Sequence, residues 1–241
     1  VKKEPLISED VVLKGSPVKK SKLNETMGTT EWTLKNGIQV IVKQTPYEAD
    51  AINIEAVADG GAAIFSDEDY YSAQMLSSVM SMSGISKFSA SDLRKQLSGK
   101  NARANVGVGT YQHAIEGTAA LKDAETMFQL MYLNFTAPRF SEDDFATLMK
   151  RYDAMLANQL TNPDFVFGQQ LMKTLYSDNY RRQQLTPEIL SSVKLERMQD
   201  IHSQLYGNAK GFRFTIYGNM SPEELKPLVE KYIGSLPAQK K

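Results

Sequence analysis

The sequence predicts an α+β fold: a two-layer sandwich of one antiparallel or mixed sheet with helices packed mainly on one face. Three observations predict it. Strand-like alternation recurs in separated stretches, three- and four-residue apolar periodicity fills the segments between them, and no internal repeat is present. In order, the segments run three strands, two helices, two strands, three helices, a further helix, a strand and a helix.

The first 28 residues hold six lysines and four acids with scattered apolar residues such as Leu6, Val11, Val12 and Leu13, and read as an extended linker. The first hairpin follows, with Trp32, Leu34, Ile38, Val40 and Val42 flanking Asn36-Gly37, a pair suited to a two-residue type I′ turn. In a third strand Ile52, Ile54, Ala56 and Ala58 share one face, and Asp59-Gly60-Gly61 ends it. Residues 67–84 then form an amphipathic helix. Ser66 and Asp69 make a capping-box pattern, Asp67 and Glu68 complement the helix dipole, and Gly84 is the stop. Tyr71, Met75, Leu76, Val79 and Met82 form its inward stripe, with Ser72, Gln74, Ser77, Ser78 and Ser81 outward.

A short helix ending near Leu97 leads to two strands, 99–110 and 111–118. A helix over about 122–135 is broken by Pro138. Ser141 with Asp144 opens the next, whose stripe is Phe145, Leu148, Met149, Tyr152, Met155 and Leu156; Asn162-Pro163 opens a third. After a polar loop, Thr186-Pro187 starts a short turn, and Leu195, Met198, Ile201 and Leu205 mark a helix stopped by Gly207. Phe212, Phe214 and Ile216 alternate in a last strand, and Ser221-Pro222-Glu223-Glu224 opens the last helix.

At 241 residues, 41% hydrophobic and 23% charged, the composition is that of a globular protein. Basic and acidic residues number 28 each, so no overall field favours nucleic acid. There is no cysteine, hence no disulfide, thiolate metal site or thiol nucleophile. No apolar run is long enough to span a membrane, and with Val1 first the chain reads as a fragment or processed product.

Candidate chemistry is sparse. His113 and Glu116 fall on opposite faces of their strand, and His202 sits beside the apolar stripe of its helix, so both histidines read as structural. The serines of the 67–84 helix lack a nucleophile-elbow pattern, and Gly60-Gly61 and Gly107-x-Gly109 lack the phosphate-cradling motifs. Tyr180-Arg181-Arg182 is the one compact basic-aromatic cluster. Guanidinium forks suit carboxylates, which makes these three the candidate peptide-facing contacts beside the alternative of a solvated loop.

From about residue 29 to 238 the chain resembles one domain of the pitrilysin/insulinase family of zinc metallopeptidases. The resemblance rests on ordered pieces: Leu-Lys-Asn-Gly-Ile-Gln-Val-Ile-Val at 34–42, Gly60-Gly61, Phe-Thr-Ala-Pro-Arg-Phe at 135–140, Leu-Thr-Pro-Glu at 185–188, Tyr-Gly-Asn at 217–219 and the 225–237 segment. Catalytic domains of that family carry His-x-x-Glu-His on the helix matching 67–84, with a glutamate from a later long helix as third zinc ligand. Aligned through Gly84, the window here reads Met75-Leu76-Ser77-Ser78-Val79. Met75 and Val79 stand in place of the histidines and Ser78 in place of the base, and the later helix offers Asp153 at most, so no catalytic or metal role is carried over.

The resemblance implies a non-catalytic domain, most like the third domain of a long bacterial enzyme of this kind. It would close a peptide-degradation chamber opposite the zinc-bearing half, with zinc in the first domain of the full-length enzyme and none in this fragment. Residues 1–28 would be the inter-domain linker, 29–238 the domain and 239–241 a tail. The partners implied are the other domains of the polypeptide and a peptide substrate, and the location implied is the bacterial cell envelope, in the periplasm. The alternative is a structural or assembly subunit that pairs with a separate catalytic chain.

Overall fold

The computed structural model describes residues 3–239. Val1 and Lys2 of the expected linker, and Lys240 and Lys241 of the expected tail, lie outside them. One seven-stranded mixed sheet runs in the order β1 (Val18–Asn24), β2 (Thr29–Leu34), β3 (Gln39–Gln44), β7 (Arg213–Gly218), β4 (Ala51–Asp59), β6 (Gln112–Ala120), β5 (Ala102–Val108). All neighbours are antiparallel except β3 and β7, which run parallel because β7 returns after a long helical excursion to lie between β3 and β4. The helices are α1 (Asp67–Ser83), α2 (Ala90–Gln96), α3 (Ala124–Thr136), α4 (Glu142–Gln159), α5 (Pro163–Leu175), α6 (Pro187–Ser191), α7 (Leu195–Tyr206) and α8 (Pro222–Leu228).

The core lies where the alternating apolar residues of the sheet meet the helices. Leu34, Val40, Ile52, Ile54, Ala56, Ile115, Phe214 and Ile216 are buried on one sheet face, against Met127, Phe128 and Met131 of α3, Leu225 of α8 and Tyr232 beyond it. Lys43, Glu55, Glu116 and Tyr217 alternate with the buried residues and stay exposed. Past Pro227, which has no backbone N–H, the last helix widens to a π-type turn over Val229–Ile233.

Four local expectations are corrected. Within the supposed linker, Val18–Asn24 forms an edge strand with Ser21 opposite Trp32 and Asn24 opposite Thr29. An edge strand needs only backbone pairing on one side, so it shows no apolar alternation, and Lys19, Lys20 and Lys22 discourage further pairing. The stretch before it is tied down as well: Ser16 and Val18 donate their N–H groups to the Glu230 carbonyl (2.9 Å) and Glu230 Oε2 (2.6 Å), and Leu6 is buried.

The first hairpin does not use a two-residue turn. Gly37 N–H donates to the Leu34 carbonyl and Leu34 N–H to the Ile38 carbonyl, both at 2.9 Å. Only Gly37 has positive φ, at 90°, whereas a type I′ turn needs positive φ at Asn36 too. This is a three-residue loop closed by a left-handed glycine.

Ser66 occupies the N-cap of α1 but makes no side-chain cap, and Asp69 turns away to an arginine described below. Ser72, expected outside, is fully buried. Its hydroxyl accepts from the backbone N–H of Lys194 at 3.0 Å, as Ser83 does from Ser141, so both serines pin neighbouring loops to the helix.

His202 is buried on α7, stacked on Tyr206, and its Nε2–H donates to the Asn134 carbonyl at 2.8 Å. The Asn134 amide in turn donates to the carbonyls of Ala104 (3.0 Å) and Leu130 (2.8 Å), linking α7, α3 and β5. Burial holds the His202 imidazole below its ordinary pKa, opposed in part by the Asn134 bond. Burial favours the neutral ring in the folded state while the unfolded chain takes up a proton below about 6.5, so this contribution is present above that pH and is lost as pH falls. His202→Gln, which keeps a donor but cannot titrate, is expected to flatten the fall in stability as pH drops below about 6.5. Urea midpoints across that range measure it.

Candidate functional site

The α1 helix presents the window that would hold a metal in a catalytic relative. Leu76 is fully buried and Val79 is 1% exposed, both turned into the core, while Met75, Ser77 and Ser78 are half-buried. A thioether, a hydroxyl and a valine do not make a zinc donor set, which calls for imidazole, carboxylate or thiolate. Asp153, the only carboxylate of the later window, stays exposed on α4 with Ala154 and Met155. Among the described residues no three His, Cys, Asp or Glu side chains lie together as a metal site. The residues present do not fit a zinc ion.

The two histidines are placed elsewhere. His113 is buried on β6 with its ring nitrogens against the carbonyls of Gly60 and, at 2.7 Å, Leu205, and its ring edge-on to Tyr206 and Phe212. Tyr206 donates to the carbonyls of Gly107 and Ala114, both at 3.0 Å, and burial raises its pKa. These are packing roles.

The first turn of α1 anchors two distant arginines instead. Arg181 Nε meets Asp67 Oδ1 at 2.7 Å, its two Nη groups donate to the carbonyls of Ala63 (3.2 Å) and Phe65 (2.5 Å), and its guanidinium lies 4.5 Å from the centre of the Tyr70 ring. Arg197 of α7 forks onto both carboxylate oxygens of Asp69 at 3.1 and 3.0 Å and reaches Asp200 at 3.0 Å. The bonds to Asp69 are the first cause raising the Arg197 pKa. Sequence carried no signal for either clamp: Asp67 and Asp69 read as helix-start acids, and their partners lie more than a hundred residues away.

The cluster singled out in sequence is divided by the fold. Tyr180 turns inward: its carbonyl accepts from the Tyr71 hydroxyl, its ring packs edge-on to Tyr71 at 5.0 Å, and its own hydroxyl donates to Ser192 Oγ at 3.2 Å. Desolvation, with Tyr180 and Tyr70 close by, pushes the Tyr71 pKa up to about 12. Arg181 is consumed by its clamp. Arg182 is exposed, stacked 5.0 Å from the Tyr176 ring centre, with no carboxylate in ion-pair reach among the described residues. It faces a cleft of about 590 Å³ between the start of α1, the β5–β6 turn and the end of α5, walled by Tyr70, Gln74, Tyr111, Met172 and Tyr176.

Residues 192–241 match the family model described as the Peptidase M16 inactive domain. The Escherichia coli protein named "Probable zinc protease PqqL" is 24% identical over 86% of this chain, and the Arabidopsis thaliana "Zinc protease PQQL-like" is 24% identical over 88%. The chain spans 22% and 20% of the length of these relatives. The crystal structure of the E. coli periplasmic protease PqqL superposes with a TM-score of 0.82 at 22% identity, covering 100% of this chain and 26% of that one. A peptidase M16 inactive domain from Pseudomonas fluorescens superposes with a TM-score of 0.66 at 16% identity, covering 88% of this chain and 52% of that one. At such identities the superpositions establish the α+β fold. The C-terminal stretch, residues 192–241, is thus similar to the inactive domain of the M16 peptidases, and the chain as a whole shares the fold of such a domain.

Proposed function

We propose that this chain is a catalytically silent domain of an M16 zinc metalloendopeptidase, and that it closes a peptide-degradation chamber opposite the zinc-bearing half. The observation that carries this reading is α1 itself, a helix packed on the core at the motif position whose window holds Met75, Ser78 and the core residue Val79. The named zinc-protease relatives, of which the chain spans about a fifth, support placing zinc and hydrolysis elsewhere in a longer polypeptide, with the other domains and a peptide as partners. In the same reading this folded unit, with β1 as the edge strand of its sheet, is the third domain. The periplasmic relative supports a cell-envelope location, and among the described residues no helix is long and apolar enough to cross a membrane.

The test uses a whole polypeptide that carries this domain. Short unstructured peptides should be cut while the same sequences inside a folded protein are spared, and removing 29–238 should abolish that discrimination. Discrimination that survives the removal contradicts the chamber role. The alternative, a structural or assembly subunit pairing with a separate catalytic chain, is favoured by one observation: this chain spans half of the Pseudomonas inactive-domain protein, a much larger share than of PqqL. Co-purification of a separate His-x-x-Glu-His chain would select it.

A further inference from the structure

The cleft beside α1 combines features that a solvated loop does not need. Tyr111 is 71% exposed and Tyr176 39% exposed, both on its walls, where a tyrosine offers a rigid apolar face and a polar tip. Arg181 and Asp67 neutralise each other at its edge, so the uncompensated charge is the guanidinium of Arg182. The stack on Tyr176 limits the conformations of that guanidinium and leaves its N–H fork for a planar anion. Ser177 and Asp178, which lead from α5 into the arginine loop, both hold left-handed backbone, at φ 52° and 56°.

The geometry points to this cleft as a binding site for a carboxylate-bearing peptide segment, its acid forked by Arg182 and a neighbouring apolar or aromatic side chain laid against Tyr111, Tyr176 and Met172. The volume, about 590 Å³, suits a few residues. The carboxylate is either an acidic side chain or a free chain end. The inference deepens the peptide-chamber reading and rests on its premise that peptides are what this domain meets. Binding through one fork and an aromatic contact is weak, with a Kd on the order of 0.1–1 mM, and weakens with salt.

The test titrates the full chain, followed by NMR chemical shifts, with four short probes. Two are blocked at both ends, Ac-Ala-Phe-Glu-Ala-amide and its Gln counterpart, and two are Ac-Ala-Ala-Phe with a free carboxylate or an amide end. Saturable binding should require the carboxylate. It should fall about tenfold in Arg182→Gln and in the uncharged probes, and by less in Arg182→Lys, which keeps the charge without the fork. Preference for the Glu probe identifies an internal acid, and preference for the free-ended probe identifies a chain end; either supports the site. Equal affinity for charged and uncharged probes, no effect of Arg182→Gln, or no saturation at millimolar peptide overturns it. Arg182 is exposed, so its variants should keep the parent melting temperature, and Tyr176→Ala gives an independent second readout. Lost peptide binding with intact size discrimination removes the cleft alone, whereas carboxylate-dependent binding without size discrimination removes the chamber role alone.

Discussion

Writing the family motif back into α1, as Met75→His, Ser78→Glu and Val79→His together, is expected to destabilise the chain without creating a zinc site. Val79 is 1% exposed in a packed core. An imidazole there is larger than the valine it replaces and brings polar nitrogens with no partner, at a cost of roughly 3–5 kcal/mol for overpacking and unmet hydrogen bonds. The third ligand is missing as well, because Asp153 stays exposed on α4. Denaturation midpoints and equilibrium dialysis against zinc check the two halves of the prediction. A stable variant holding one zinc per chain would mean that the helix is still poised for metal.

The second large effect is expected at Gly84, where α1 ends. Its φ is 87°, and an added Cβ would sit 2.1 Å from the Phe88 carbonyl oxygen, inside the tight loop closed by paired Ile85 and Phe88. Gly84→Val combines left-handed backbone strain with a backbone overlap that can be relieved only by moving the loop, at a cost of roughly 3–5 kcal/mol. Gly99 supplies the control. Its φ is 80° but nothing lies within 4 Å of its would-be Cβ, so Gly99→Ala should cost only the strain, about 1–2 kcal/mol. Equal losses at the two sites, measured by urea unfolding, would show that the close approach at Gly84 carries no energy.

What could be read from the sequence followed the physics that acts locally. Alternation placed β4 and the inward faces of β3 and β7, and the side chains of Ser141, Asn162 and Ser221 do accept helix-start N–H groups. Asn36-Gly37 announced a hairpin, though the turn type depends on the φ of Asn36, which the pair alone does not determine. What could not be read depends on partners distant in the chain. β1 has no apolar pattern of its own and exists because β2 offers it an edge. Ser72 looks like a surface serine until the Lys194 N–H is brought to it.

The candidate site shows the same division. That the α1 window lacks a base and a metal ligand was visible from Met75, Ser78 and Val79 alone. That Arg181 is structural while Arg182 faces a cleft was not, because the difference lies in Asp67 and Tyr176, which the fold brings to one arginine each. Adjacent arginines of identical chemistry thus meet different surroundings.

The central claim, a motif helix that holds neither metal nor base, is tested most directly by incubating the purified chain with excess zinc, removing the unbound metal, and measuring bound zinc together with cleavage of an unstructured peptide. The predicted result is no stoichiometric zinc and no cleavage above a protein-free control. One zinc per chain with cleavage abolished by a chelator would contradict it.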